Sequence, residues 1–230
     1  MLAGSTLAAG ALFLSLEFLQ PPPSMSAGCP QSGPDPMLSL QAFTDFGDAA
    51  VLLPLSAALL CWLLATRPVS AAGGWLTALA FCAGVTALLK IYLFACPVLP
   101  DLESPSGHTS FSAVGYGALA MVAAAERRSL WQKIAIAALA AGVVGGIAFS
   151  RVLLGSHSLR EIGLGFAIGA GGLAIFTFAY LRVQPRNGAL APLILATIIV
   201  LILFHGVRLH LEELLQTLSG RIHVHALACG

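Results

Sequence analysis

The chain has 230 residues, of which 58% are hydrophobic and only 9% are charged, and its mean hydropathy is +0.91. An ordinary soluble domain carries about 25% charged residues, so this composition excludes that class and indicates a chain that lies in lipid. The formal net charge of +1 gives no electrostatic reason to expect a nucleic-acid partner.

Six apolar stretches approach the ~20 residues that a helix needs to cross the hydrocarbon layer. A weaker seventh stretch at 1–20 contains Glu17 and stops at Pro21. It has no basic residue ahead of its apolar core, which favours a retained helix over a cleaved signal peptide. The sequence therefore predicts an all-α, polytopic membrane bundle with six transmembrane helices and a weak N-terminal seventh. The six stretches cover about 49–66, 73–95, 108–125, 131–149, 161–181 and 189–206.

These stretches divide the chain into three parts. Residues 1–48 hold the N-terminal apolar segment and a linker rich in Pro, Gly and Ser, residues 49–206 form the membrane-embedded domain, and residues 207–230 form the tail. One apolar face over 207–218 predicts a helix that lies in the membrane interface. Glycines spaced four apart predict close helix packing in lipid at two pairs, Gly142 with Gly146 and Gly165 with Gly169.

The charged residues between the apolar stretches differ in sign on the two sides of the membrane. The positive-inside rule makes the basic side cytoplasmic, so the acidic side faces outward. In a bacterial inner membrane, which is the location we expect, the outward side is periplasmic. The basic side carries Arg67, Arg127, Arg128, Lys133, Arg182 and Arg186, and the acidic side carries Asp35, Asp45, Asp48, Asp101 and Glu103.

Two short polar clusters adjoin apolar stretches on the predicted outward side. The first is Pro105-Ser106-Gly107-His108, and the second is Ser150-Arg151 followed by His157 and Glu161. Arg151 offers a planar fork for phosphate oxygens, and a carboxylate four residues after His157 can orient its imidazole. Each residue alone is explained by a helix cap, a headgroup anchor or a surface pair. Their coincidence at one side of the membrane favours an anion site and phosphate chemistry.

No metal site is predicted from the cysteines and histidines. The cysteines show no CxxC spacing, and the histidines near the C-terminus match no common metal pattern. The five cysteines are Cys29, Cys61, Cys82, Cys96 and Cys229.

The two clusters resemble the second and third motifs of the type 2 phosphatidic acid phosphatase family, P-S-G-H and S-R-x5-H-x3-D. The resemblance covers about 73–181. It implies an all-helical membrane bundle, related to the vanadium-dependent haloperoxidases, in which the motifs meet at the outer ends of the central helices. It also implies that His157 forms a phosphohistidine, while His108 protonates the departing lipid oxygen and then acts as base for water. Arg151, Ser106 and the Gly107 backbone would hold the phosphoryl oxygens, and no metal or other cofactor is implied.

Two positions depart from the family pattern. The first motif, K-x6-R-P, supplies a lysine and an arginine, whereas here Lys90 is followed by Cys96-Pro97, without the arginine and one residue short. Lys90 lies about five residues, or ~8 Å, inside its stretch, close enough to extend towards the site. Because lysine inside a membrane segment is costly, a phosphate-binding role is favoured over a simple anchor. The second departure is Glu161, which keeps the charge of the family's aspartate and adds one methylene.

The sequence thus predicts a metal-independent phosphoric monoester or diphosphate hydrolase that acts on a lipid phosphate or diphosphate at the outer leaflet. Phosphatidic acid, phosphatidylglycerol phosphate and undecaprenyl diphosphate are candidate substrates. The alternative is a catalytically weakened lipid-phosphate binding or transport protein, and a vanadate haloperoxidase is disfavoured because those enzymes are largely soluble. The expected partners are the lipid and the bilayer, with no signal for an oligomeric state. The catalytic residues are His157, His108 and Glu161, and the phosphate-binding residues are Lys90, Ser106, Gly107 and Arg151.

Overall fold

A computed structural model describes residues 36–95, 102–183 and 189–209. Within these ranges every regular element is a helix, which confirms the predicted all-α class. The elements, in chain order, are α1 (Pro36–Thr44), a 3-10 turn (Asp45–Gly47), α2 (Ala49–Thr66), α3 (Val69–Ala95), α4 (Gly107–Ala125), α5 (Leu130–Leu153), α6 (Leu159–Leu181) and α7 (Ala191–Phe204).

All six predicted transmembrane stretches form helices, but within the described ranges only four segments are long and apolar enough to cross a membrane. Four apolar helices of this length indicate an integral membrane protein. α7 has only 14 residues. α4 is not among them, because its sequence includes His108 and several hydroxyl residues. Three of these hydroxyl residues, Thr109, Ser110 and Ser112, are buried inside the bundle. The four qualifying segments are Met37–Thr66, Val69–Phe94, Leu130–Leu153 and Leu159–Leu181.

α4 lies at the centre of the bundle and packs against α2, α3, α5 and α6, while α7 packs against α2. α2, α4 and α6 begin at the end of the bundle where α3, α5 and α7 finish, and we call this the upper end. A methyl group added to Gly165 would lie 2.6 Å from the Ser106 carbonyl oxygen, and one added to Gly169 would lie 2.6 Å from that of Ser110. These contacts confirm close packing of α6 on α4.

The other glycine pair does not bring two long helices together. A methyl group at Gly142 would meet no atom within 4 Å, and one at Gly146 would meet the ring of Phe43 on α1 at 2.6 Å. The sequence spacing is the same in both pairs. The difference arises because the Gly165 pair faces α4, whereas Gly142 lies on a face of α5 that no described neighbour covers.

Arg67 at the lower end is a packing residue rather than an exposed loop charge. Only 3% of its surface is exposed. It forms an ion pair with Glu126, and its guanidinium lies 5.3 Å from the centre of the Trp62 ring and 5.2 Å from that of Tyr180. It therefore ties α2 to α4 and α6. The basic character of the lower surface comes from the exposed residues Arg127, Arg128, Lys133 and Arg182.

Several sequence predictions lie outside the described residues. These are the weak N-terminal span at 1–20 and the Cys96-Pro97 neighbourhood. The predicted interfacial helix over 207–218 is described only at 207–209, which are not helical. Cys29 and Cys229 also lie outside the described residues, and so do His210, His223, His225, Asp35, Asp101 and Arg186.

Candidate active site

Ser106 immediately precedes α4 and caps its first turn. Its side chain is fully buried and accepts hydrogen bonds from the Thr109 amide at 3.4 Å and the Thr109 hydroxyl at 3.0 Å, so it is the N-cap of the helix. Its own amide donates to the carbonyl of Glu161 at 3.1 Å. Ser106 thereby fastens the start of α4 to the start of α6, and the two motifs meet at the upper end.

Gly107 is the first residue of α4, and packing does not require glycine there. A methyl group at this position would meet no atom within 4 Å, and the backbone does not adopt a positive φ. The first amides of a helix have no partner within the helix and attract anions. The space beside Gly107 is therefore open at the point where the backbone of α4 can receive an anion.

His157 lies just before α6, and its Nδ1 atom is 2.9 Å from Oε2 of Glu161. Both residues are buried, with 8% and 6% of their surface exposed. A separation of four residues places two side chains on one face of a helix, but α6 begins only at Leu159. The pair forms instead through a capping box, in which the Glu161 amide donates to Ser158 Oγ at 3.3 Å and the Ser158 amide donates to Glu161 Oε2 at 3.0 Å. The predicted pairing is confirmed with a different local geometry.

The second oxygen of Glu161 holds the segment that leads into α4. Oε1 accepts hydrogen bonds from the amides of Glu103 at 2.9 Å and Ser104 at 2.8 Å. The carboxylate therefore joins the segment before α4, the cap of α6 and the imidazole of His157. A buried carboxylate needs such partners, and three amides together with the ring supply them.

Arg151 occupies the last turn of α5 and closes the turn that leads to His157. Its carbonyl accepts hydrogen bonds from the amides of Ser156 at 3.0 Å and His157 at 3.3 Å. Gly155 has a φ of +66°, in the left-handed region that favours glycine at the end of a helix. This turn brings the half-buried Arg151 and the buried His157 to the same end of the bundle.

Lys90 on α3 is buried inside the bundle, with only 4% of its surface exposed. One turn before it, the Thr86 hydroxyl is 3.3 Å from the hydroxyl of Ser110 on α4. Because α3 and α4 run in opposite directions, one further turn towards the upper end places Lys90 at the level of Ser106. A lysine that only anchors a helix would extend into lipid headgroups, so its burial at this level favours a role in the site.

His108, the second residue of α4, has a carboxylate neighbour that the sequence did not indicate. Its Nε2 atom is 3.7 Å from Oδ2 of Asp48, the N-cap of α2. A helix cap could have been predicted for Asp48 because it precedes a long apolar run. The Ser158-x-x-Glu161 capping box was also readable as a pattern. Nothing in the sequence pairs Asp48 with His108, since the contact joins residues 60 positions apart.

Among the described residues, no group of three or more His, Cys, Asp or Glu side chains is arranged to hold a metal ion. The groups that the upper end offers to an anion are helix amides, the buried Lys90, the half-buried Arg151 and the imidazoles. Comparison with curated proteins gave no match, and comparison with solved structures gave none. A family model described as the PAP2 superfamily matches residues 3–188.

Proposed function

We propose that this chain, which belongs to the PAP2 superfamily, hydrolyses a lipid phosphate or diphosphate through a phosphohistidine. Membership of this superfamily supports phosphatase-type activity on phosphate esters. The observation that carries the proposal is the buried pair of His157 Nδ1 and Glu161 Oε2, 2.9 Å apart, beside the start of α4. A carboxylate on one nitrogen of an imidazole fixes the tautomer in which the other nitrogen is a nucleophile. Nε2 of His157 is then the atom that attacks phosphorus.

The reaction follows two displacements at phosphorus. In the first, His157 Nε2 forms a bond to phosphorus as the bond to the lipid oxygen breaks, and His108 gives its proton to that oxygen. In the second, His108 takes a proton from water as the water oxygen bonds to phosphorus. The nitrogen–phosphorus bond breaks, inorganic phosphate leaves, and both histidines return to their starting forms. Glu161 stays ionised and stabilises the charge that develops on the ring of His157.

The phosphoryl oxygens bind beside Gly107. The first amides of α4 supply hydrogen-bond donors, while Lys90 and Arg151 supply positive charge. Ser106 positions these amides through its cap, because its hydroxyl already accepts two hydrogen bonds from Thr109. Fixed donors of this kind stabilise charge that develops in the transition state without needing to reorganise.

We expect Gly107→Ala to lower the rate of phosphate release about tenfold without lowering stability, because the methyl group enters the phosphate space and not the packed interior. Gly163→Ala on α6 is the matched control, since a methyl group there also meets no atom within 4 Å. Both variants should unfold at or slightly above the wild-type temperature, because alanine is the better helix former by about 0.5–1 kcal/mol. Equal activity of the two variants would remove Gly107 from the phosphate site.

An apolar groove supports a lipid rather than a soluble ester as the substrate. It has a volume of about 380 Å³ and lies over α4, between α5 and α6. α5 and α6 both pack on α4 but not closely on each other, which leaves the groove open at the side. It extends from Ala113 to Ala124, a distance of ~16 Å, and begins about five residues, or ~8 Å, below His108. A hydrocarbon chain in this groove would place its phosphate at the upper end.

We expect Ala140→Phe, which fills the groove from α5, to lower kcat/KM for a long-chain lipid phosphate about tenfold, because a displaced chain misaligns the phosphate. Hydrolysis of 4-nitrophenyl phosphate, which has no chain, should change less than twofold. Ala138→Phe is the control, since Ala138 lies on α5, is exposed and does not line the groove. A similar loss with both substrates would argue against binding of the chain in the groove.

The proposed orientation puts the site at the outer face of a bacterial inner membrane. Its support is the set of exposed basic residues Arg127, Arg128, Lys133 and Arg182 at the lower end, which the positive-inside rule assigns to the cytoplasm.

The test of the function is phosphate release by the purified protein from phosphatidic acid, phosphatidylglycerol phosphate and undecaprenyl diphosphate, with and without EDTA. We expect release from at least one lipid, unchanged by EDTA. Binding of these lipids without release would support the catalytically weakened binding protein instead.

A further inference from the structure

Asp48 uses its two carboxylate oxygens for different purposes. It is buried, with 5% of its surface exposed, between the 3-10 turn and α2. Oδ1 accepts hydrogen bonds from the amides of Ala50 at 2.8 Å and Leu209 at 3.1 Å, so this oxygen caps α2 and holds the segment after α7. Oδ2 faces His108, 3.7 Å from Nε2. One oxygen is structural and the other is directed at the imidazole.

The 3-10 turn before Asp48 is fixed against the face of α4 that carries His108. The carbonyl of Phe46 accepts a hydrogen bond from the Tyr116 hydroxyl at 2.7 Å. Gly47 allows this approach, since a methyl group there would lie 2.6 Å from Ile147 Cγ2 and 3.4 Å from His108 Cδ2. His108 and Tyr116 are eight residues apart and thus on one face of α4. The position of Asp48 relative to His108 is therefore set by packing.

The neighbouring carboxylate, Asp45, has a different partner. The Arg208 guanidinium donates to both of its oxygens, from Nε at 2.8 Å and from Nη2 at 3.3 Å. This contact with Asp45 raises the pKa of Arg208. Asp45 and Asp48 are equally buried and three residues apart. Arg208 forms its hydrogen bonds with Asp45 and acts on Asp48 only through the electrostatic attraction of their charges, and Oδ2 of Asp48 faces the ring of His108.

We propose that Asp48 is a positioning residue that holds His108 for proton transfer; this inference rests on the phosphatase function proposed above. A carboxylate beside the ring stabilises the imidazolium form, which is the form that gives a proton to the departing lipid oxygen. The proton moves only between His108, the lipid oxygen and the attacking water. The sequence resemblance assigns no carboxylate to His108, so Asp48 adds a second carboxylate–imidazole pair to the site.

The test compares two leaving groups. Asp48→Asn keeps the Oδ1 acceptor for Ala50 and Leu209 and replaces the charged Oδ2 that faces His108 with a neutral amide nitrogen. We expect it to lower kcat about tenfold for a lipid phosphate, whose alcohol needs a proton to leave. With 4-nitrophenyl phosphate, whose leaving group departs as an anion, the loss should be less than threefold. Asp45→Asn is the matched control and should show equal, small effects on both substrates. Should Asp48→Asn not fold, Asp48→Ser keeps an N-cap oxygen and replaces it.

A double-mutant cycle separates positioning from a general loss of structure. If Asp48 acts through His108, then Asp48→Asn combined with His108→Gln should be no slower than His108→Gln alone. Additive losses, or equal losses with both leaving groups, would overturn the role of Asp48 while leaving the phosphatase function intact. Failure of the wild-type protein to release phosphate from any ester would instead overturn the proposed function, and this inference with it.

Discussion

Replacement of His157 by glutamine is expected to lower phosphate release at least ~1000-fold, because the proposed phosphohistidine cannot form on a glutamine amide. Glutamine is preferred to alanine because His157 is buried and its Nδ1 atom is 2.9 Å from Glu161. The amide of glutamine can donate to that carboxylate, whereas alanine would leave it without one of its partners. The measurement is the initial rate of phosphate release from the best lipid substrate.

His205→Gln is the control for this variant. His205 also lies at the upper end, where its ring contacts that of Phe46 with the ring centres 4.6 Å apart. Its Nε2 atom lies 2.9 Å from the Ala42 carbonyl oxygen, but the residue is exposed and belongs to no motif. We expect its rate to stay within about threefold of wild type. A His157→Gln variant with half the wild-type rate would exclude His157 as the nucleophile.

Replacement of Lys90 by methionine is expected to lower kcat/KM about 100-fold, since one buried positive charge opposite the phosphate is lost in both the ground state and the transition state. Methionine has a similar length and suits a membrane helix, so insertion and folding should be retained. Phosphate affinity and rate should fall together. The measurement is kcat and KM for the lipid substrate, with competition by inorganic phosphate.

Arg160→Gln is the control for the Lys90 variant. Arg160 lies in the first turn of α6 near the site but is exposed, and no motif assigns it to phosphate binding. Its replacement should change kcat/KM less than about threefold. If Lys90→Met were unchanged while Arg160→Gln lost most activity, Arg160 would be the cation that compensates for the missing arginine.

Hydropathy predicted the positions of the helices well. A long apolar segment in lipid must satisfy its backbone hydrogen bonds internally, and a helix does this within one segment. The sequence predicted α4 as one of six membrane spans, but α4 is not among the four described segments that are apolar enough to cross a membrane. Its hydroxyl residues Thr109, Ser110 and Ser112 are buried inside the bundle. The sequence analysis counted Arg67 among the basic residues between apolar stretches, and the sequence gives no sign that its side chain is buried. Arg67 is buried together with its partner Glu126, which lies 59 residues away, and no local sequence pattern predicts this ion pair.

The motifs predicted which residues meet at the upper end, because each adjoins the end of a helix and these ends share one side of the bundle. They did not predict how His157 is held. The capping box of α6, rather than a shared helical face, sets that pair, and the longer side chain of Glu161 also reaches the amides of Glu103 and Ser104. The contact of Asp48 with His108 needs the packing of the 3-10 turn on α4. Such contacts arise from the tertiary fold, and no residue spacing in the sequence predicts them.

The central claim is that His157 carries the phosphoryl group during turnover. Its most direct test is a rapid acid-free quench of the purified protein mixed with a lipid phosphate that is radiolabelled on phosphorus. If His157 is the nucleophile, the protein should carry a labelled phosphate that is stable in alkali and lost in acid, as expected of phosphohistidine. The label should lie on the peptide that contains His157 and should be absent from His157→Gln. Turnover without a labelled protein, or a label on any other residue, would contradict it.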